Sequence, residues 1–348
     1  MSDFYNGAKL LSLKDLNNEN PELYLCTTNR SGGKTTYFGK YCTSQFLKGK
    51  GKFGLIYRYN YELDDVADKF FKDLSSLFFH DYTMISERRA SGIYHELFLV
   101  KREDKIPCGY AITLNSADQI KKNSHQFSDI DRMIFDEFQS ETNHYCTDEI
   151  KKFISIHTSI ARGNGKHCRR VPVYMLSNSV SLINPYYTAL GISTRLTPQT
   201  KFLRGNGWVL EQGYVEAASK AQKESPFNKA FANSEYYAYN TDNIYLNDNN
   251  NFIEKLSGKS NYLGTLIYKG NEYALRDYPE LGVIYVSTNV DKTYKTKLSV
   301  TINDHGINYV MLKSYSLFLN NMRYFFNKGC VRFQNLLCKE CFLTAISF

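Results

Sequence analysis

The sequence predicts an α/β fold, a mostly parallel sheet with helices on both faces, followed by a small α+β domain. Three observations predict it. Short apolar runs alternate with segments of helical period through the first 190 or so residues. A glycine-bearing polar loop, Thr28 to Thr36, stands between one such run and one such helix. After a polar run, Asn247-Asp248-Asn249-Asn250-Asn251, the pattern changes to closely spaced strands.

The elements follow in order. Leu23-Tyr24-Leu25-Cys26-Thr27 is a short apolar run ending in a polar loop and reads as a buried strand. Phe38, Tyr41, Cys42 and Phe46 recur at helical spacing, so Lys34 to Phe46 reads as the helix that follows. Phe53 to Tyr57 is a second strand, and Asp64 to Phe78 has a helical period. Met133-Ile134-Phe135 is a third strand ending in Asp136, and Val171 to Leu176 a fourth ending in Ser177-Asn178. Beyond Pro198 come one strand around Trp208-Val209-Leu210 and a polar helix near Val215 to Lys223. Tyr262 to Tyr268, Glu272 to Arg276 and Gly282 to Ser287 read as a meander, and Leu317 to Phe326 as a helix. The expected domains are 1–197, a linker or lid over 198–247, and 248–348.

Composition excludes some classes. The 348 residues are 43% hydrophobic and 22% charged, ordinary for a globular chain of two domains. The net charge of +8 fits a polyanionic partner without requiring one. No apolar run approaches the length of a membrane span, so no membrane partner is expected. The eight cysteines are scattered, which suits free thiols rather than a disulfide framework. Cys338-Lys339-Glu340-Cys341 with Cys330 lacks a second pair and a nearby histidine, so zinc is not expected. His144 and His157 read as ordinary histidines.

The loop Thr28-Asn29-Arg30-Ser31-Gly32-Gly33-Lys34-Thr35-Thr36 ends in the G-K-[ST] of a phosphate-binding loop. Its backbone N–H groups and the next helix's N-terminus suit phosphate oxygens. Arg30, Ser31, Gly32, Gly33, Lys34, Thr35 and Thr36 are therefore the expected ATP-binding residues. Lys34 would bridge the β- and γ-phosphates, and Thr35 would hold Mg²⁺. The usual first glycine is replaced by Thr28, which puts the loop's geometry in question. Asp136, at the tip of a strand placed beside the phosphate loop, suits Mg²⁺. Glu137 suits the base that polarises the attacking water. An acid directly after the magnesium aspartate points to the RecA-like (ASCE) branch of P-loop ATPases, which use a strand-borne glutamate. In that branch a polar residue at the tip of the fourth strand senses the γ-phosphate, here Asn178. A turn-forming asparagine is the alternative for Asn178.

The chain resembles the DNA-packaging (encapsidation) ATPases of small tailed phages with protein-primed genomes, compact relatives of terminase large subunits. The strings that carry this are Arg30 within the loop, Leu55-Ile56-Tyr57-Arg58-Tyr59, Cys108-Gly109-Tyr110-Ala111-Ile112, Met133 to Phe138, and Leu176 to Tyr187. The resemblance implies an ATP-driven motor that translocates double-stranded DNA, without regard to sequence, into a procapsid. It implies a homo-oligomeric ring, usually of five subunits, docked on the capsid portal, with a structural packaging RNA as a further partner left open. It places the protein in the host-cell cytoplasm, transiently on the procapsid, and not in the mature virion. By position, Ser159-Ile160-Ala161-Arg162 matches the segment whose arginine completes the neighbouring subunit's site; a surface salt bridge is the alternative for Arg162. Arg30 would contact phosphate in cis. Lys121 and Lys122, in the loop before the acidic strand, are candidates for DNA phosphates, as is the basic run Lys48 to Lys52, with a merely solvated face the alternative for each. The C-terminal domain would be a vestigial ribonuclease-H-like fold without nuclease activity, because Tyr262 to Tyr268 carries no carboxylates and Asp277 and Asp291 are sparse. The competing reading is an ATP-switched capsid assembly or DNA-binding protein with little turnover.

Overall fold

A computed structural model of the chain describes residues 3–142, 144–162, 167–193, 195–196, 200–232 and 252–347. The chain divides into two compact units, residues 1–192 with 196–247, and 193–195 with 248–348. Pro198 and the polar run 247–251, where the sequence suggested boundaries, lie outside the described residues.

The first unit carries strands β1 (Leu23–Thr27), β2 (Lys52–Tyr57), β3 (Thr83–Arg89), β4 (Tyr94–Lys101), β5 (Asp104–Thr113), β6 (Ile130–Asp136), β7 (Val173–Ser177), β8 (Phe202–Gly205) and β9 (Trp208–Gln212). Its helices are α1 (Ala8–Ser12), α2 (Lys34–Leu47), α3 (Val66–Phe78), α4 (Ala117–Lys122), α5 (Glu149–Ala161), α6 (Pro185–Ala189), α7 (Glu216–Glu224) and α8 (Pro226–Ala230). The sheet order is β3-β4-β5-β2-β6-β7-β1-β9-β8. From β5 to β9 every neighbouring pair is parallel, while β3, β4 and β8 add antiparallel edges.

The period of two along the central strands sorts two cores. Leu25, Met133, Phe135, Met175 and Leu210 face one side, where Phe153, Ile156 and Ile160 of α5 and Tyr186 of α6 cover them. Tyr24, Cys26, Ile134, Tyr174, Leu176 and Val209 face the other, under Phe38 and Cys42 of α2 and Phe70, Phe71 and Leu74 of α3. Strands buried on both faces read as continuous apolar runs, which is why these were legible. Helices α2 and α3 approach closely at Gly39, where an added Cβ would meet Leu74 Cδ1 at 2.8 Å.

Three expectations need correction. Asp136 was placed on the strand beside the phosphate loop, but β7 lies between β6 and β1. After β6 the chain crosses over through α5 and returns as β7, parallel to both neighbours. Lys121 and Lys122 were placed in a loop but end helix α4, exposed, where basic residues suit the C-terminal dipole. The described part of 198–247, expected as a linker or lid, contributes β8 and β9 to the main sheet, with β9 paired to β1 from Leu23↔Trp208 to Thr27↔Gln212.

The second unit holds β10 (Asn261–Tyr268), β11 (Asn271–Tyr278), β12 (Val283–Ser287), β13 (Lys297–Ser299), β14 (Val310–Met311) and β15 (Val331–Phe333), with helices α9 (Ser316–Asn327) and α10 (Leu336–Ile346). Its sheet order is β14-β13-β10-β11-β12-β15, so the expected meander forms its centre. Leu266, Leu275, Val286 and Phe333 pack with Leu319, Met322 and Phe342 from the two helices. Cys338 and Cys341 are buried in that core as free thiols.

Candidate functional site: a phosphate loop facing two carboxylates

The loop between β1 and α2 is shaped by its glycines. Gly33 caps α2 with φ +87°, a left-handed conformation that suits glycine, and Ser31 is also left-handed at φ +57°. Tyr37 N–H donates to Gly33 O at 2.9 Å, starting the helix. The first turn of α2 holds no acidic residue, so its N-terminal end is free to meet an anion. Thr28 is not strained: its methyl faces Gly213, where an added Cβ would lie 3.0 Å from it. A glycine lost from the loop is thus matched by one on the strand-end opposite. Asn29 locks the loop to Val215, accepting from its N–H at 2.9 Å and donating to its carbonyl at 3.0 Å. The N-terminal segment lies along the loop too, with Tyr5 N–H donating to Gly32 O at 2.7 Å.

At the C-terminal edge of the sheet the expected residues meet. Lys34 Nζ donates to Asn178 Oδ1 at 2.7 Å, joining the first turn of α2 to the tip of β7. Thr35 stands near enough to the Asp136 carboxylate to favour its charged form. Burial pulls the Lys34 ammonium below its usual range, against the opposing pull of Asp136. Burial raises the Asp136 carboxyl, with Lys34 and Thr35 opposing. An ammonium and a carboxylate each destabilised by burial, and each favouring the other's charge, are poised for a ligand that brings negative charge and a cation.

Glu137 stands where the chain leaves β6, with a left-handed backbone (φ +54°) and its N–H donating to Asp136 Oδ1 at 3.0 Å. Its carboxyl is held above the ordinary range, first by desolvation and then by Asp136, Glu141 and Glu62. It lines a cleft of about 600 Å³ together with Arg30, Glu62, Glu141, His144 and Asn178. His144, read from sequence as ordinary, therefore faces the site.

Sequence reasoning missed the supports. Arg58, just past β2, is buried and donates to both oxygens of Glu149 at 2.9–3.0 Å. It also donates to Glu137 O at 3.1 Å and Phe138 O at 2.7 Å, tying down the turn that carries the glutamate. Glu149 in turn accepts from Cys146 N–H at 2.7 Å and Tyr186 hydroxyl at 2.8 Å. The available signal was a charged residue directly after the apolar run Phe53 to Tyr57. Glu141 was also missed; it pairs with Arg30 at 2.5 Å.

Other expected residues are not brought here. Arg162 caps the far end of α5, about 20 Å along the helix from Glu149, exposed and 3.5 Å from Ser159 Oγ. Its neighbours Arg169 and Arg170 are spent internally, on Ile160 O at 2.9 Å and on Pro21 O at 2.6 Å. Lys121 and Lys122 lie on the segment returning to the N-terminal edge of β6, away from the cleft. Lys52 of the other basic run pairs with Asp129 at 2.9 Å. In the second unit Asp291 accepts from Thr293 N–H at 2.9 Å and its hydroxyl at 2.7 Å, shaping a turn. Among the described residues no group of three or more His, Cys, Asp or Glu is placed to hold a metal, and no helix is long and apolar enough to cross a membrane.

Comparison with known proteins agrees with this architecture. The DNA packaging protein of Bacillus phage PZA is 25% identical over 346 residues, spanning 97% of this chain and 95% of that one. That of Bacillus phage phi29 is likewise 25% identical over 346 residues, with 97% and 95% covered. A chain of the bacteriophage Phi-29 viral genome packaging motor assembly shares the fold, with a TM-score of 0.69 at 21% identity over 99% of this chain and 100% of that one. The family model described as Podovirus DNA encapsidation protein (Gp16) matches residues 1–345. From its first residues almost to its last, then, this chain belongs to the Podovirus DNA encapsidation protein (Gp16) family.

Proposed function

We propose that this chain hydrolyses ATP in the cleft between the phosphate loop and β6, and that hydrolysis drives double-stranded viral DNA into a capsid. One observation carries the ATPase reading: Lys34, Thr35, Asp136, Glu137 and Asn178 meet at one edge of a parallel sheet. Lys34 would hold the β- and γ-phosphates, with Arg30, Ser31, Gly32, Gly33 and Thr36 around them. Thr35 and Asp136 fit a magnesium ion, since a neighbouring alcohol and carboxylate are hard oxygen donors. Mg²⁺ there would supply charge neutralisation at the phosphates. Glu137 would accept the proton of the attacking water, and its raised carboxyl pKa makes it a better base than an ordinary glutamate. Asn178, already hydrogen-bonded to Lys34, would read the γ-phosphate.

Names of relatives support the motor reading: the PZA and phi29 proteins are DNA packaging proteins, and the matching structure is a packaging motor assembly. The chain would then work as a homo-oligomeric ring, a pentamer by family analogy, on the portal of a procapsid in the host-cell cytoplasm, and leave before the virion matures. A structural packaging RNA is a further candidate partner. Arg162, exposed and remote from its own chain's cleft, suits a role in the neighbour's site. Lys121 and Lys122 are candidates for DNA phosphates.

Steady-state phosphate release tests the reading. Glu137→Gln is expected to lose about 10²–10⁴-fold of turnover while still binding ATP. Arg162→Ala is expected to lose turnover as well, and mixing it with Glu137→Gln subunits should restore part of it. Wild-type turnover absent in the assembled protein would favour a nucleotide-switched assembly role, and unchanged turnover in Glu137→Gln would overturn the assignment.

A further inference from the structure

We infer that Glu141 is a built-in competitor for the γ-phosphate and so lowers the preference of the cleft for ATP over ADP. The inference rests on the nucleotide-site reading above. Glu141 lies four residues beyond Glu137, in the turn that follows β6. Its two carboxylate oxygens accept from Arg30 Nη2 at 2.5 and 2.7 Å. Oε1 also accepts from Asn178 Nδ2 at 3.3 Å. Asn178 Oδ1 in turn accepts from Lys34 Nζ at 2.7 Å. One anion therefore gathers a cation of the phosphate loop and the polar tip of β7, with the loop lysine one bond further on.

Those are the groups a terminal phosphate needs. A carboxylate and a phosphate both present paired oxygens to a guanidinium, and the phosphate carries more charge. The Arg30–Glu141 pair is partly open to solvent, with side chains 38% and 30% exposed. Such a pair is weakly held and can be exchanged. A γ-phosphate would take Arg30 and Asn178 and repel Glu141 into the cleft. ADP has no group at that position, so it would leave the pair closed.

The test is equilibrium binding of a ribose-labelled, non-hydrolysable ATP analogue and of labelled ADP, each with Mg²⁺, to the full chain. Glu141→Gln keeps the shape and removes the charge. It is expected to tighten the ATP analogue about tenfold and ADP by less than about twofold. In an Arg30→Gln background the same change should give no selective gain, because the competition has lost its object. The fluorescence of buried Trp208 checks that each variant is folded. Equal tightening of both nucleotides would mean a general charge effect, and an unchanged or weakened ATP analogue would remove the competitor role; either overturns the inference. Failure of the wild-type chain to bind either nucleotide would instead sink the nucleotide-site reading on which it stands, and the inference with it.

Discussion

Replacing Arg58 by methionine separates what this side chain does for the fold from what it does for the site. The guanidinium is buried, as is Glu149, with side chains 7% and 1% exposed. Arg58→Met keeps most of the apolar stem but leaves the Glu149 carboxylate buried with only Cys146 N–H and the Tyr186 hydroxyl as donors. Breaking a buried pair from one side costs about 3–5 kcal/mol. With a urea m-value of about 3 kcal/mol/M, that moves the unfolding midpoint down by roughly 1–1.7 M. The chain's single tryptophan, Trp208, is buried on β9 and reports on this unit alone. The double variant Arg58→Met/Glu149→Gln removes the stranded charge, and its one amide oxygen can still accept from either Cys146 N–H or the Tyr186 hydroxyl, which now approach separate oxygens. It should recover about 2 kcal/mol. Its ATPase should not recover, because the carbonyls of Glu137 and Phe138 have lost their donor and the glutamate is no longer held in register. Misplacement of about 1 Å at a reacting group can cost about 10²-fold. A double variant with wild-type turnover would refute the positioning role, and a single variant losing under about 1 kcal/mol would refute the energetic one.

Two further outcomes follow from the same geometry. Glu62 raises the Glu137 carboxyl by like-charge repulsion, so Glu62→Gln should lower it and move the acid limb of the ATPase pH profile to lower pH; a limb that stays or rises would count against Glu137 as the titrating base. Burial pushes the thiols of Cys26, Cys42, Cys108 and Cys338 up to about 12, whereas Cys168 is exposed. A thiol reagent at pH 8 should label Cys168 first and the half-buried Cys330 next, with mass spectrometry showing the six buried thiols protected until urea unfolds the chain.

The central strands were legible because burial on both faces demands unbroken apolar runs, as in Leu23–Cys26 and Met133–Phe135. The hairpin β3–β4 was not legible. Thr83-Met84-Ile85-Ser86-Glu87-Arg88-Arg89 is a half-exposed edge strand whose charges hide the period of two, and its pairing with β4 stabilises it instead. The short strands β13, β14 and β15 escaped for the same reason: three residues or fewer carry no period, and only the pairing defines them. Helix α10 was overlooked since its apolar residues lie all round, as suits a helix buried against the second sheet.

The sequence by itself determined the chemistry on offer. A loop ending in Gly33-Lys34-Thr35 between a strand and a helix, and a strand ending in Asp136-Glu137, are local patterns whose backbone geometry follows from neighbouring residues. Only the tertiary structure decided who stands beside whom. That β7 enters between β6 and β1 is a matter of crossover topology, and it is what brings Asn178 within reach of Lys34. Contacts such as Arg58 with Glu149 or Arg30 with Glu141 join residues about a hundred positions apart, and a single chain of residues carries no local trace of which distant charge will neutralise which.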